Sequence, residues 1–200
     1  VGTATALFGA SALSMATLSA VSTLVMGLIS KDPEVSSQNF GTKFAARSPT
    51  APRQIIYGRA RVGGTITHIQ TSGTDNHLLS MIVVLAGHEI EDLETVRVND
   101  TNLTTTSSGG FQYATNSEFV NSDNDNKFGV SNSLLRFRFK DGSQTTADST
   151  IVGATNLGNT DKFINCAYVL VQMVFDSEKF SSLPNLSFIV KGKKVYDPRN

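Results

Sequence analysis

The chain has 200 residues, enough to bury the core of one domain together with an appendage. Its 17 basic and 17 acidic residues give a formal net charge of zero, which excludes a general electrostatic attraction to nucleic acid or anionic lipid. The single cysteine, Cys166, excludes an internal disulfide and a Cys-rich zinc site, and its apolar neighbours predict a small buried hydrophobic side chain.

Residues 1–30 carry no charged side chain and predict an apolar N-terminal helix. Ala12, Ala16 and Ala20 recur at every fourth position, which would give a smooth face for close approach of another helix. The favoured interpretation is a helix buried in a protein assembly. A membrane-active or membrane-spanning helix is a second interpretation, because the length could cross a bilayer. A cleaved signal is the third, although no basic region precedes the apolar run.

Residues 31–54 contain three of the five prolines and show no hydrophobic periodicity, so they predict an extended linker. From residue 55 to residue 200 the pattern is that of a β-rich domain. Short strands are predicted in "RQIIYGR" and "VGGTITHIQT", around a glycine turn, and the apolar run "HLLSMIVVLAG" predicts a strand that is covered on both faces. Further strands are predicted in "LETVRVND", "CAYVLVQMVF" and "LSFIVKGKKVY". The fold class is therefore mainly β, an antiparallel sandwich or barrel preceded by the apolar helix and the linker.

The stretch "LLRFRFKDG" alternates, which predicts that its apolar side chains face the core and that Arg136, Arg138 and Lys140 face outward. Its Asp-Gly pair predicts a turn. The polar stretches "NDTNLTTTSSGG" and "NSEFVNSDNDNKFG" predict long surface loops, and a short helix is predicted within residues 145–163.

No arrangement of residues predicts catalysis, a metal site or a cofactor. "HEIED" at residues 88–92 begins like a zinc-protease motif but has Asp92 where the second histidine is needed, so it predicts a turn after a strand. "SDNDNKFG" spaces two aspartates like a calcium loop. It has no glycine at the position where an EF-hand loop has one, and it lacks the distal glutamate of that loop. "KGKK" is basic but lacks the interleaved aromatic residues of a nucleic-acid site, and is interpreted as a hairpin with charged outer positions.

Two stretches carry a resemblance to a known family. "RSPTAPRQIIYGRARVGGTITHIQTSG", followed by "NHLLSMIVVLAGHEIEDLETVRVND", is similar to the opening of phage tail-tip hub proteins of the host-specificity protein J-like family. "LPNLSFIVKGKKVYDPRN" resembles a later line of the same family, and the two occur in the expected order. The polar middle, residues 100–165, resembles nothing we can name.

The resemblance implies a non-enzymatic virion protein at the distal end of a phage tail. It implies a homotrimeric hub that closes or extends the tail tube, organises host attachment and genome delivery, and contacts the distal tail, tape-measure and tail-tube proteins. It also implies that further domains follow this part of the chain. In such a trimer Ala12, Ala16 and Ala20 would pack near the axis, and Tyr57, Arg59 and Arg61 would lie near a contact between subunits.

Three other functions are weighed against this one. The uncharged segment could insert into the host membrane during genome delivery. A tail-associated peptidoglycan hydrolase would need catalytic residues that the sequence does not present. A glycan- or receptor-binding module would use the polar loops of residues 100–130.

Overall fold

The computed structural model describes Ala45, Arg47 and residues 51–121, 128–180 and 182–193. By its internal contacts the chain divides into Val1–Asn39 and Phe40–Asn200, and all described residues belong to the second unit. The predicted apolar helix with Ala12, Ala16 and Ala20, most of the linker, the loop at 122–127 and the C-terminal residues 194–200 lie outside the described residues.

The described part is mainly β, with ten strands, one α-helix and two 3₁₀ turns at Thr74–Asn76 and Ser117–Phe119. Strands β1 to β5 are Arg59–Val62, Thr65–Ser72, Leu78–Ala86, Asp92–Val98 and Thr101–Asn102. Strands β6 to β10 are Thr105–Ser108, Phe111–Ala114, Leu135–Lys140, Ala167–Val174 and Leu186–Lys191, and helix α1 is Ser149–Ala154.

The strands form two antiparallel sheets. The smaller sheet has the order β1-β10-β4-β5 and the larger has the order β2-β3-β9-β8-β7-β6. The chain passes from one sheet to the other between β1 and β2, through the glycine pair that was predicted to turn there. It returns to the smaller sheet between β3 and β4, crosses again between β5 and β6, and returns between β9 and β10.

The main hydrophobic core lies between the two sheets. Alternate residues of each strand point into it, as the period-2 geometry of a strand requires. Phe188 and Val190 enter from the smaller sheet, and Val169 and Val171 enter from the larger one; all four are fully or almost fully buried. The mainly antiparallel sandwich architecture predicted from the sequence is thus confirmed for the described residues.

The larger sheet is covered on its second face as well. Ile82, Tyr168 and Leu170 point away from the main core into a second cluster, which includes Ile151 of α1. All eight residues of β9 are buried. The prediction of a strand covered on both faces is confirmed for β3, because a layer containing α1 and the loop segments after it packs on the outside.

The long surface loop predicted at residues 99–110 is wrong. Residues 101–114 contain strands β5, β6 and β7, and Gly109 and Gly110 form a two-residue turn between β6 and β7 with φ of 57° and 78°. Such a turn needs positive φ at both positions, which glycine adopts without steric cost. The Gly-Gly pair followed by the apolar "FQYA" was the available sequence signal.

The Asp141-Gly142 pair, predicted as a turn, is where the chain bends after β8, with φ of 105° at Gly142. β8 does pair with β9, but residues 141–166 separate them and contain α1. The short helix predicted within residues 145–163 is confirmed at Ser149–Ala154. The "RQIIYGR" stretch is corrected as well, because regular strand structure begins only at Arg59.

The outward-facing cations of β8 are half-buried rather than solvated, because the outer layer covers them. Arg136 lies between the rings of Phe111 and Phe128, 4.2 and 4.1 Å from their centroids. Its Nε donates to the Gln172 side chain at 2.8 Å, and Gln172 in turn donates to Ser80 at 3.0 Å. A buried polar chain therefore crosses the sheet with its hydrogen bonds made.

A buried carboxylate, Asp148, joins α1 to the sheet. Its side chain accepts from the Thr150 N–H at 2.9 Å, and lies 3.1 Å from Arg138 Nε and 3.3 Å from Lys140 Nζ. Burial opposes ionisation, but the Thr150 hydrogen bond and the two cations outweigh it, so the pKa of Asp148 is lowered. Burial and the charge of Asp148 raise the pKa of the nearby Tyr168.

We expect Asp148→Asn to lower the free energy of unfolding at pH 7 by about 1–3 kcal/mol, because Arg138 and Lys140 lose their counter-charge. Asparagine retains the cap on Thr150, so the change isolates charge. Because the pKa of Asp148 is lower in the folded state than in the unfolded state, its ionised carboxylate stabilises the fold at pH values above the unfolded-state pKa, near 3.9. This stabilisation is lost as the pH falls through the folded-state pKa. The difference between wild type and variant should therefore shrink below about pH 4.

Urea unfolding at pH 7 and pH 3 measures this difference. Glu118→Gln, which removes an exposed carboxylate, is the control and should change little at either pH. A difference of the same size at both pH values would contradict the charge argument.

Candidate assembly surface

The residues before β1 form an extended arm, defined here as residues 51–58. The arm lies against the body through backbone hydrogen bonds. The Gln54 carbonyl accepts from Gly87 N–H at 2.9 Å, the Ile56 carbonyl from Lys193 N–H at 2.9 Å and the Gly58 carbonyl from Gly192 N–H at 2.7 Å. The last part of the predicted linker is thus fixed through Gln54 to the end of β3 in the larger sheet, and the rest of the arm is fixed to the end of β10 in the smaller sheet.

The arm and β1 contain both buried and exposed side chains. Ile56 and Val62 are buried at 5% and 3% exposure, whereas Ile55 and Tyr57 are 70% and 61% exposed. Exposed Ile55, Tyr57 and Arg59, together with half-buried Arg61, are called here the edge row. It runs along β1, which is an edge strand of the smaller sheet.

The two arginines of the edge row are paired with carboxylates of β4, which lies beyond β10 in the same sheet, and of the turn after β4. Arg59 Nε lies 2.5 Å from Glu94, which also lies 3.7 Å from Lys191. The hydrogen bond from Arg59 is the largest cause of the lowered pKa of Glu94. Arg61 pairs with Asp100 and donates to the Ser187 hydroxyl at 3.1 Å. These pairs hold the arginine side chains over the sheet, while the apolar pair Ile55 and Tyr57 has exposed surface.

His88, at the end of β3, holds the middle of the arm. Its Nε2 accepts from the Ile56 N–H at 2.8 Å, and its Nδ1 donates to the Glu89 carbonyl at 2.7 Å. The ring also stacks on Tyr57, with centroids 6.3 Å apart and an interplanar angle of 20°. His88 thus links the arm to the end of β3.

We expect Gly192→Ala to displace the arm. Gly192 is buried, and a Cβ there would overlap the Ile56 carbonyl and lie 2.8 Å from Ile56 Cγ2. Backbone atoms cannot rotate away, so the arm must move. Limited trypsin digestion should then cut after Arg53 at least about tenfold faster, since about 1.4 kcal/mol of lost docking energy corresponds to that factor.

The matched control is Gly153→Ala, because a Cβ at Gly153 meets nothing within 4 Å. That variant should be cut at the wild-type rate. Wild-type cleavage of Gly192→Ala would show that the arm does not depend on this close approach.

The edge row brings together three of the residues that the sequence singled out, Tyr57, Arg59 and Arg61; whether they form a subunit contact stays a prediction. The alanines at 12, 16 and 20 lie outside the described residues. Sequence analysis missed Ile55, which the i, i+2 alternation with Tyr57 could have identified. It also missed the link between His88 and Ile56, which are 32 positions apart and carry no local signal.

Among the described residues, no group of three or more His, Cys, Asp or Glu side chains is placed to hold a metal ion. Within the same part of the chain, none of the helices has the length and hydropathy that a bilayer crossing requires. Cys166 is 3% exposed, as predicted.

No family model matches the sequence, and no curated protein matches it significantly. A chain in a solved structure described as the virion of a native gene transfer agent particle is similar, with a TM-score of 0.47 and 17% identity. The match covers 94% of this chain and 39% of that one. At this TM-score the likeness does not establish a shared fold.

Proposed function

We propose that this chain is a structural protein of a phage-like virion, and that it forms a homotrimeric hub at the tail tip. The observation that carries the proposal is the edge row, which places exposed Ile55 and Tyr57 beside an edge strand. It lies within "RQIIYGRARVGG", one of the stretches that resemble tail-tip hub proteins. The resemblance supports a tail-tip hub protein, and the edge row supports a contact between subunits of the trimer.

The chemistry of the row suits an assembly contact. Tyrosine and arginine are enriched where protein interfaces have their largest energies, and an exposed apolar pair gains free energy when it is covered. A ring of three copies needs a heterologous contact, in which the row of one copy meets a different surface of the next. Arg59 and Arg61 are already held by Glu94 and Asp100, so little side-chain freedom is lost on association.

The uncharged N-terminal segment would add to the same assembly. In the proposed trimer, three copies of residues 1–30 pack through the face of Ala12, Ala16 and Ala20 near the axis. The partners proposed beyond the chain itself are the distal tail, tape-measure and tail-tube proteins. A membrane-inserting segment would instead cause leakage from phospholipid vesicles that depends on residues 1–30.

The test is gold labelling of intact particles with an antibody against residues 100–114, which include exposed strands β5 and β6. Label confined to the distal end of the tail supports the proposal. Native mass spectrometry of the purified protein or subassembly should give three copies. Label elsewhere on the particle, with control epitopes accessible, or a copy number incompatible with three-fold symmetry, would overturn it.

A further inference from the structure

We propose that the arm is a proton-sensitive strap, docked when His88 is neutral and released when its ring binds a second proton. The proposal does not rest on the assembly role, because every contact that it uses lies within one chain. In this proposal the protonation state of His88 determines whether residues 51–58 remain bound to the rest of the domain.

The hydrogen bonds of the ring require the neutral form. Nδ1 carries the proton donated to the Glu89 carbonyl, so Nε2 must keep its lone pair to accept the Ile56 N–H. A second proton would go to Nε2, and two N–H groups would then face each other across 2.8 Å. Proton binding and docking of the arm at Ile56 therefore exclude one another.

Charged and titratable groups lie on the segments that pack near His88. They come from the arm, from the turn after β3, from the residues after β10 and from the end of β8: Arg53, Tyr57, Glu89, Glu91, Lys193 and Asp141. Hydrogen bonds from the Ser143 N–H and hydroxyl lower the pKa of Asp141, so this carboxylate keeps its charge wherever histidine titrates.

The sign of the pH effect follows from linkage. The docked form binds one proton fewer than the released form, so docking is favoured at high pH and lost as the pH falls. Below the titration range of the free ring, the equilibrium constant for docking should fall by about tenfold per pH unit. Histidine is the side chain that changes charge between about pH 5 and 8, so this range is experimentally accessible.

Release of the arm would also open a cavity. A cavity of about 170 Å³ has residues 51–54 on one wall and Phe163 and Cys166 on another. Cys166 is the only cysteine of the chain and is buried. The reaction rate of its thiol should therefore report whether residues 51–54 have left the cavity.

The experiment uses the full chain, with hydrogen exchange followed from pH 8 to pH 5 as protection relative to the intrinsic rate. Protection of the Ile56 amide should fall by about tenfold per pH unit at the acid end, while amides of Val169 and Leu170 in β9 keep theirs. Reaction of Cys166 with a neutral dipyridyl disulfide, relative to the unfolded chain at each pH, should accelerate over the same range.

His88→Gln replaces the ring with a group that does not titrate, so Ile56 protection should lose its pH dependence. His68→Gln, at a half-buried histidine of β2, is the matched control and should behave like wild type. The proposal is overturned if Ile56 protection in wild type does not depend on pH, if β9 protection falls in parallel, or if His88→Gln keeps the wild-type slope.

Discussion

Replacing Phe188 with alanine is expected to lower the free energy of unfolding by about 3–5 kcal/mol. Phe188 has no exposed surface and points into the main core from β10. Its strand neighbours are Val62 of β1 and Val96 of β4, both buried and both held by backbone pairing. Because these β-branched side chains cannot move into the vacated space, the cavity should remain largely open. The loss of unfolding free energy should therefore lie near the upper end of this range.

Urea unfolding followed by circular dichroism measures this loss as a lower midpoint with an unchanged slope. Phe175→Ala removes the same side chain at a position that is 62% exposed, and should change stability by less than about 0.5 kcal/mol. A loss below about 1 kcal/mol for Phe188→Ala would mean that the two sheets do not share a tightly packed core.

Local sequence patterns identified the strands whose burial is regular. The apolar run of β3 and the alternation of β8 predicted strands because burial repeats at every residue or every second residue there. β5, β6 and β7 were missed because threonine, serine and asparagine dominate β5 and β6, and polar strands of this kind differ from loops only in their pairing. The Gly109–Gly110 pair was the one local sign of a hairpin.

The details of the candidate site depend on distant parts of the chain. Tyr57, Arg59 and Arg61 were singled out from the sequence, and the structure adds exposed Ile55 beside them. In contrast, the bond between Ile56 and His88 and the close approach of Gly192 to the arm join residues far apart in sequence. The half-buried state of Arg136 and Arg138 depends on α1 and the loops around it, which a strand pattern cannot reveal.

The arm combines two properties that an assembly protein can use. It presents Ile55 and Tyr57 outward while its backbone is held by hydrogen bonds to Gly87, Gly192 and Lys193. A contact surface held in this way loses little conformational entropy on association. A change that releases the arm would therefore weaken a contact through Tyr57 without altering any residue that touches the partner.

Tyr57→Ala is expected to dissociate the proposed trimer. A tyrosine at the centre of an interface contributes at least about 2 kcal/mol when truncated, and a closed ring of three copies contains three equivalent contacts. The trimer should then lose about 6 kcal/mol, which corresponds to roughly a ten-thousandfold change in the association constant. Sedimentation velocity over a range of concentrations measures this as a shift from trimer to monomer.

Three comparisons make the result specific. Tyr57→Phe keeps the ring and should remain trimeric, and Phe175→Ala removes an exposed aromatic residue outside the edge row and should also remain trimeric. The fold should survive in all three variants, because Tyr57 is 61% and Phe175 62% exposed. Ile56 amide protection in Tyr57→Ala separates loss of the contact from loss of the docked arm. A trimer that dissociates over the same concentration range in Tyr57→Ala as in wild type, with the arm docked in both, would exclude Tyr57 from the subunit contact.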